Sequence, residues 1–279
     1  MQNWLVWVLA AGALTLIALG YWQIVVADGA YLGQRAVTWL YDLTAPRYDD
    51  IKQYDPEMEA VFLGRPLAEA LATVPAPLVL DVATGTGRLP LALFEQPTFR
   101  GKVIGVDASR PMLRLGAQKL RAFDDRLLLL WRDAAALPFP DGVFDAVTVL
   151  EVAEFTPDPP ALLAEALRVL RPGGVFVTTR RRGTNATLMP GKTHDRPAFE
   201  ALLAERGCSY VEIMPWQVEY DLVWALKEGA SAGGGRQPLS VLACPHCNRI
   251  GPLRQDESAL RCAACGKAFP QRDGLYDFR

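Results

Sequence analysis

Four cysteines near the C-terminus and two glycines mid-chain are the residues whose type and spacing best suit chemistry. Cys244 and Cys247 form one C-x2-C knuckle and Cys262 and Cys265 a second, with fourteen residues between them. Two such knuckles can present four thiolates to one tetrahedral ion, and a metal stabilises a segment too small for a core of its own. The pattern predicts a Zn2+ site rather than two disulfides. His246 lies inside the first knuckle and is not needed as a ligand. Cys208 stands alone and reads as a buried small hydrophobe.

The glycines lie in "LVLDVATGTGRL", Leu78 to Leu89, where a run that reads as a buried strand meets Gly85 and Gly87. A dinucleotide fingerprint would carry a third glycine where Pro90 stands, and a phosphate-binding P-loop would carry a lysine that is missing here. Both phosphate readings are weakened. Asp81 ends the first strand, and Asp107 closes the next one 26 residues later, where a carboxylate can accept hydrogen bonds from ribose hydroxyls. The loop therefore suits a ligand with a ribose that needs no pyrophosphate.

Short apolar strands and helical patterns alternate between Ala76 and Arg180 in the way of a parallel sheet covered on both faces. "SYVEIMPWQ" and "YDLVWALK" then read as an antiparallel hairpin closing one edge, after a helix capped by Gly207. The expected fold is α/β, a Rossmann-like sheet with an antiparallel edge hairpin. Its expected divisions are an apolar segment (1–28), a helical lead-in (29–75), the sheet domain (76–227), a flexible glycine-rich linker (228–240) and a small metal ribbon (241–279).

Trp4 to Ala27 contains no charged residue. At about 1.5 Å per residue such a helix crosses the roughly 30 Å hydrocarbon layer of a bilayer. The run is too long, and "MQN" too poor in basic residues, for a cleaved signal. Arg35 and Arg47 follow the span, which leans toward a single-pass protein with its long C-terminal part in the cytoplasm. Twenty-nine basic against thirty-one acidic side chains give no field for a polyanion and argue against a nucleic-acid partner.

"VLDVATGTG", "VIGVDASRPML", "RDAAALPFPDGVFDAVTVLEV" and "LRPGGVFV" resemble, in order and spacing, the successive motifs of class I S-adenosylmethionine-dependent methyltransferases. The first and third are especially similar to the C-methyltransferases of ubiquinone and menaquinone biosynthesis, and the likeness runs from about Thr44 to Lys227. It implies S-adenosylmethionine as cofactor. Asp81 and the backbone of Ala83, Thr84, Gly85, Thr86 and Gly87 would face the methionine part, and Asp107 would hold the ribose. Ala108 and Met112 would flank the adenine, with Asp133 accepting from its amino group beside Ala134, and Glu151 would line the cleft near the sulfonium. Tyr48 either lies over the methionine end or packs as a helix-face aromatic. Ala83 stands where the family pattern has its first glycine, which suits a backbone position that needs no positive φ.

Proton removal from a carbon or oxygen acceptor has three candidates by location, Glu151, Tyr48 and His194, and no catalytic residue is assigned. "TRRRG", Thr179 to Gly183, either meets an anionic substrate or lipid headgroups or is a solvated loop. The tail resembles small zinc-ribbon proteins that activate methyltransferases, which leaves room for a protein partner. The leading expectation is methylation of a membrane-associated lipid or quinone-like small molecule. The alternatives are a methyltransferase for RNA or protein recruited by the ribbon, and a non-catalytic cofactor-binding scaffold.

Overall fold

A computed structural model describes residues 3–256 and 258–279. Its helices are α1 (Asn3–Tyr21), α2 (Gln34–Thr44), α3 (Tyr48–Lys52), α4 (Pro56–Glu59), α5 (Arg65–Ala70), α6 (Arg88–Phe94), α7 (Arg110–Lys119), α8 (Pro159–Val169), α9 (Gly183–Thr187) and α10 (Arg196–Glu205). The strands are β1 (Leu78–Val82), β2 (Lys102–Asp107), β3 (Leu127–Trp131), β4 (Phe144–Val149), β5 (Leu170–Arg181), β6 (Cys208–Pro215), β7 (Tyr220–Lys227), β8 (Leu253–Gln255), β9 (Ala259–Cys262), β10 (Ala268–Arg272) and β11 (Leu275–Asp277).

Among the described residues the strands form one sheet in the order β6-β7-β5-β4-β1-β2-β3-β11-β10-β9-β8. β1 pairs in parallel with both β2 and β4, so the order reverses there and opens a crevice at the strands' carboxyl ends. β1 and β4 are buried along their whole length, as expected for strands covered on both faces. β7 runs antiparallel between β5 and β6 and forms the expected edge hairpin, while Gly207 adopts the left-handed conformation after α10.

Helix starts follow a repeated local rule, a capping oxygen followed by proline. Ser109 caps α7, Asp158 caps α8 and Asp195 caps α10, each accepting a backbone N–H three residues on, with proline in the first turn. The cap on α7 sits beside Asp107, so one turn of chain sets both the helix axis and the mouth of the crevice.

α1 continues through a π-type turn at Trp22–Val26, and Trp4–Val26 is long and apolar enough to cross a membrane, with none of it buried in the protein. The end of this segment is latched to the domain: the Trp22 indole donates to the Leu188 carbonyl at 3.0 Å and the Tyr31 hydroxyl to that of Pro190 at 2.8 Å.

The stretch from Glu228 to Pro238, expected as a free tether, is held to the sheet's amino end. Buried Asp145 accepts from the Leu78 and Gly234 N–H groups and from Arg171, and Arg171 also donates to the Ser231 carbonyl. A side chain at Gly234 would meet the Pro75 carbonyl oxygen at 2.0 Å, so the residue that looks flexible by composition is there for close approach. The tail is likewise not a detached module. β11 adds in parallel to β3 through Tyr276 against Leu130 and Asp277 against Trp131, and Phe278 is fully buried.

Candidate active site and metal centre

The crevice encloses about 770 Å³ of atom-free space, mouth included, and is lined mainly by the ends of β2 and β4, the loop after β1, and α2. It gathers Tyr48, Ala83, Gly85, Asp107, Ala108, Met112, Asp133, Ala134 and Glu151, all expected from sequence. Asp81, Thr84, Thr86 and Gly87 do not line it. The Asp81 carboxylate is taken up by the Thr84 and Thr148 hydroxyls, each at 2.6 Å, and burial outweighs these bonds to push its pKa up to about 6. Thr86 donates to Asp49 at 2.6 Å. In this arrangement these residues shape the loop from behind.

The loop's geometry corrects one expectation. Ala83 has φ +57°, in the left-handed region that costs a non-glycine residue about 1–2 kcal/mol. Gly87 begins α6 at φ +79°, where any Cβ would lie 2.4 Å from a Leu120 methyl. The turn therefore asks for glycine-like backbone at both positions, and the alanine is strained.

Asp107 sits at the end of β2 with one oxygen accepting the Gly85 N–H at 2.8 Å and the other the Ser109 N–H at 2.7 Å. Burial raises its pKa to about 6 despite these two donors. Each oxygen keeps a lone pair for a hydroxyl donor from the crevice. Trp131 donates its indole N–H to the Ala108 carbonyl at 2.9 Å, and the Ser109 hydroxyl donates to Asp42 of α2 at 2.6 Å. Ribbon-side and lead-in elements thus both grip the loop that carries Asp107.

Glu151 also has positive φ, +52°, and its N–H donates to the Thr179 hydroxyl at 2.7 Å. Its carboxylate accepts from Lys52 at 2.8 Å and Arg88 at 2.5 Å. Burial opposes its ionisation, but the two cations together outweigh that and hold its pKa below the ordinary glutamate value. Arg88 lies between the Tyr54 ring, 3.9 Å from its centroid, and the Trp216 ring at 4.5 Å, and also pairs with Glu59. Lys52, Tyr54, Glu59, Arg88 and Trp216 were not foreseen, since the partners lie tens of residues apart and share no local spacing. Gln34, Val37, Thr38 and Tyr41 were missed too, although their i, i+3, i+4, i+7 spacing marks one helical face.

The other candidate bases are less well placed. Burial drives the Tyr48 phenol well above its ordinary pKa, and the Tyr54 hydroxyl donates to it at 3.3 Å. His194 lies outside the crevice, beside Arg180, Lys192 and Phe199. The arginines of "TRRRG" are engaged within the chain: Arg180 and Arg182 pair with Asp221, and Arg181 pairs with Glu219 and lies near Asp28. Cys208 is buried, and burial pushes its thiol up to about 11, consistent with an inert side chain.

The four knuckle sulfurs all lie within 4.8 Å of one another. Cys244 and Cys265 are 3.8 Å apart and Cys247 and Cys262 3.7 Å, close to the edge of about 3.8 Å that a tetrahedron of 2.3 Å Zn–S bonds requires. The donor set therefore fits zinc. For the cofactor, the crevice offers paired acceptors at Asp107 and Asp133 with soft apolar surface at Met112 and Ala108, a set that fits an adenosyl group.

Comparison with known proteins agrees with this geometry. Residues 80–178 match the family described as methyltransferase domain, and residues 239–274 that described as Trm112p-like protein. The chain is 36% identical to a demethylmenaquinone methyltransferase of Symbiobacterium thermophilum, covering 52% of this chain and 58% of that one. It is 40% identical to the Thermus thermophilus enzyme of the same name, covering 50% and 62%. A 2-phytyl-1,4-naphtoquinone methyltransferase of Synechococcus elongatus is 34% identical over 51% of this chain and 62% of its own. The chain thus spans about three-fifths of the length of these curated relatives. Among solved structures, the [4+2]-cyclase SpnF superposes with TM-score 0.57 at 18% identity, covering 71% of this chain and 97% of that one. A complex of the Haloferax volcanii Trm112 methyltransferase activator with a putative methyltransferase gives 0.52 at 20%, covering 68% and 98%. These two show the fold alone. Residues 80–178 are thus similar to a methyltransferase domain, and the sheet they belong to is extended by a segment that is similar to Trm112p-like protein and bears a four-cysteine cluster.

Proposed function

We propose that the protein is an S-adenosylmethionine-dependent methyltransferase acting on a membrane-dissolved, quinone-like small molecule, anchored by α1 with the sheet domain in the cytoplasm. The observation that carries the activity is the convergence of Asp107, Asp133, Met112 and Glu151 with Ala83 and Gly85 on one crevice at the switch point of the sheet. The acceptor class draws support from the names of the quinone-methylating relatives and from the apolar span. The orientation rests on Arg35 and Arg47.

In this reading the sulfonium supplies an already activated methyl group, so the protein's task is mainly positioning. Asp107 accepts from the ribose hydroxyls and Asp133 from the adenine amino group. Val37, Tyr41 and Phe155 give the acceptor an apolar wall and keep water from the reacting centre. Glu151, ionised and held by two cations, positions rather than takes the proton. With the cofactor bound, these residues would hold the acceptor carbon in line with the methyl group; the proton that the methylated carbon gives up would pass to solvent at the open mouth of the crevice as S-adenosylhomocysteine is released.

The test is incubation of the full chain in its own membranes with methyl-labelled cofactor, followed by separation of lipid, protein and RNA. Label in an extractable quinone-like fraction is expected. Label confined to a macromolecule supports the second reading, in which the Trm112p-like segment recruits a protein or RNA, and this reading is kept because of that match. Failure to bind S-adenosylhomocysteine in calorimetry would leave a non-catalytic scaffold.

A further inference from the structure

α2 has two working faces. Gln34, Val37, Thr38 and Tyr41 line the crevice. On the opposite side Arg35, Trp39 and Leu43 follow one another at i, i+4 and i+8, and Arg47 extends the series just past the helix. Trp39 and Leu43 are each 59% exposed, Leu32 just before the helix is 57% exposed, and both arginines are exposed. The acidic residue of the helix, Asp42, turns inward to Ser109. The outer stripe is thus apolar and basic with no acid in it.

What covers this stripe follows from where the helix begins. Seven residues separate Val26, the last of the apolar span, from Gln34. They are folded back into turns, with Ala30 N–H donating to the Ala27 carbonyl and Leu32 N–H to that of Gly29, both at 2.8 Å. Val37 of α2 packs in one buried cluster with Ala27 and Ala30. α2 therefore starts at the very end of the span and is bound to it by side-chain packing. A tryptophan, leucines and flanking arginines are the residue types that settle at a lipid–water boundary, the ring at headgroup depth and the arginine stems reaching to phosphates.

Resting on the reading of Trp4–Val26 as a membrane anchor, we propose that α2 lies in the bilayer interface with Trp39 and Leu43 in contact with lipid, so that a single helix is the partition between membrane and crevice. The acceptor it serves is then an apolar molecule that passes from the lipid around α2 without crossing bulk water.

The full chain, labelled with 5-fluorotryptophan and placed in phospholipid nanodiscs, tests this. Its seven tryptophans give fluorine resonances, and Trp39→Phe identifies the one of interest. With nitroxide-labelled lipid in the disc, the Trp39 resonance should broaden together with those of Trp4 and Trp7, while Trp216 and Trp224 stay sharp. If Trp4 and Trp7 broaden and Trp39 stays sharp, the anchor stands and the interfacial helix is wrong. If none broadens, the anchor itself fails and the proposal falls with it. A Trp39 signal that is protected from lipid only when two differently tagged copies co-purify would assign the stripe to a second copy and also overturn the proposal.

Discussion

The guanidinium of Arg88 and the carboxylate of Glu151 meet at 2.5 Å from positions 63 residues apart, one opening the helix after the glycine loop and the other ending the strand beside it. Their contact ties the start of α6 to Glu151, which lines the crevice. Lys52 of the lead-in reaches the other oxygen of the same carboxylate at 2.8 Å, so α3 and α6 both converge on Glu151.

Glu151→Gln removes the charge that both cations face. Arg88 keeps its pair with Glu59 and Lys52 is partly exposed, so the loss is about 1–3 kcal/mol, the range for leaving a buried polar group short of one partner. Folding lowers the Glu151 pKa, so its contribution is present above the unfolded value near 4.5 and is lost as pH falls through the folded one. Denaturant unfolding at pH 7 should show a loss of this order that shrinks toward pH 4. If Glu151→Gln instead left stability intact and abolished turnover alone, the residue would be a proton acceptor after all.

Cofactor affinity should depend on pH through Asp107. Its free-protein pKa is raised to about 6, and ribose hydroxyls donate best to the ionised form. Binding therefore favours the ionised carboxylate, and S-adenosylhomocysteine affinity is expected to fall as pH drops through 6, by up to about tenfold per unit below it. For stability the sign is opposite: a raised carboxyl pKa favours the protonated folded state, so this group destabilises as pH climbs from about 4 to 6. Asp107→Asn should weaken binding by about 10–100-fold and flatten the profile. Calorimetry at pH 5, 6 and 7.5 checks both, and an unchanged pH profile in the variant would move the effect elsewhere.

Ala83 should respond to substitution in a way that its φ of +57° dictates. Ala83→Gly relieves the strained backbone while adding freedom to the unfolded chain, and the two nearly offset, leaving Tm within about 2 °C. Ala83→Val places a β-branched residue in the left-handed region. A cost of about 2 kcal/mol corresponds to a Tm lower by about 4–8 °C for a domain of this size. Scanning calorimetry of the two variants side by side is the check, and equal Tm values would show that the loop relaxes.

Metal removal should be felt in the cofactor crevice. Chelation frees four thiolates within a segment whose last strand pairs with β3, and β3 ends in Trp131, the indole that holds the Ala108 carbonyl. Stripping zinc is expected to open 239–279 to protease and to weaken S-adenosylhomocysteine binding several-fold. Phe278→Ala should mimic this with the metal retained, since truncating a buried phenylalanine costs about 3–5 kcal/mol. Cofactor affinity unmoved by both treatments would uncouple the ribbon from the site.

The sequence announced what depends on neighbours along the chain. β1, β2, β4 and the edge hairpin appear where continuous apolar runs and glycines place them, and the four cysteines come together as their spacing requires. It was silent wherever distant segments meet. The pairing of β11 with β3, the anchorage of Gly234 on Asp145 and Pro75, and the convergence of Lys52 and Arg88 on Glu151 are choices between partners far apart in sequence, and no local periodicity encodes them. Ala83 was misread for a related reason, since composition gives residue size but not the dihedral angle a turn imposes.

The docking of β11 on β3 occurs between two parts of one covalent chain, so the encounter is governed by an effective concentration in the millimolar range and not by how much of a separate subunit a cell makes. An interface too weak to survive dilution can still be closed nearly all the time. Stoichiometry is fixed at one four-cysteine segment to one sheet domain.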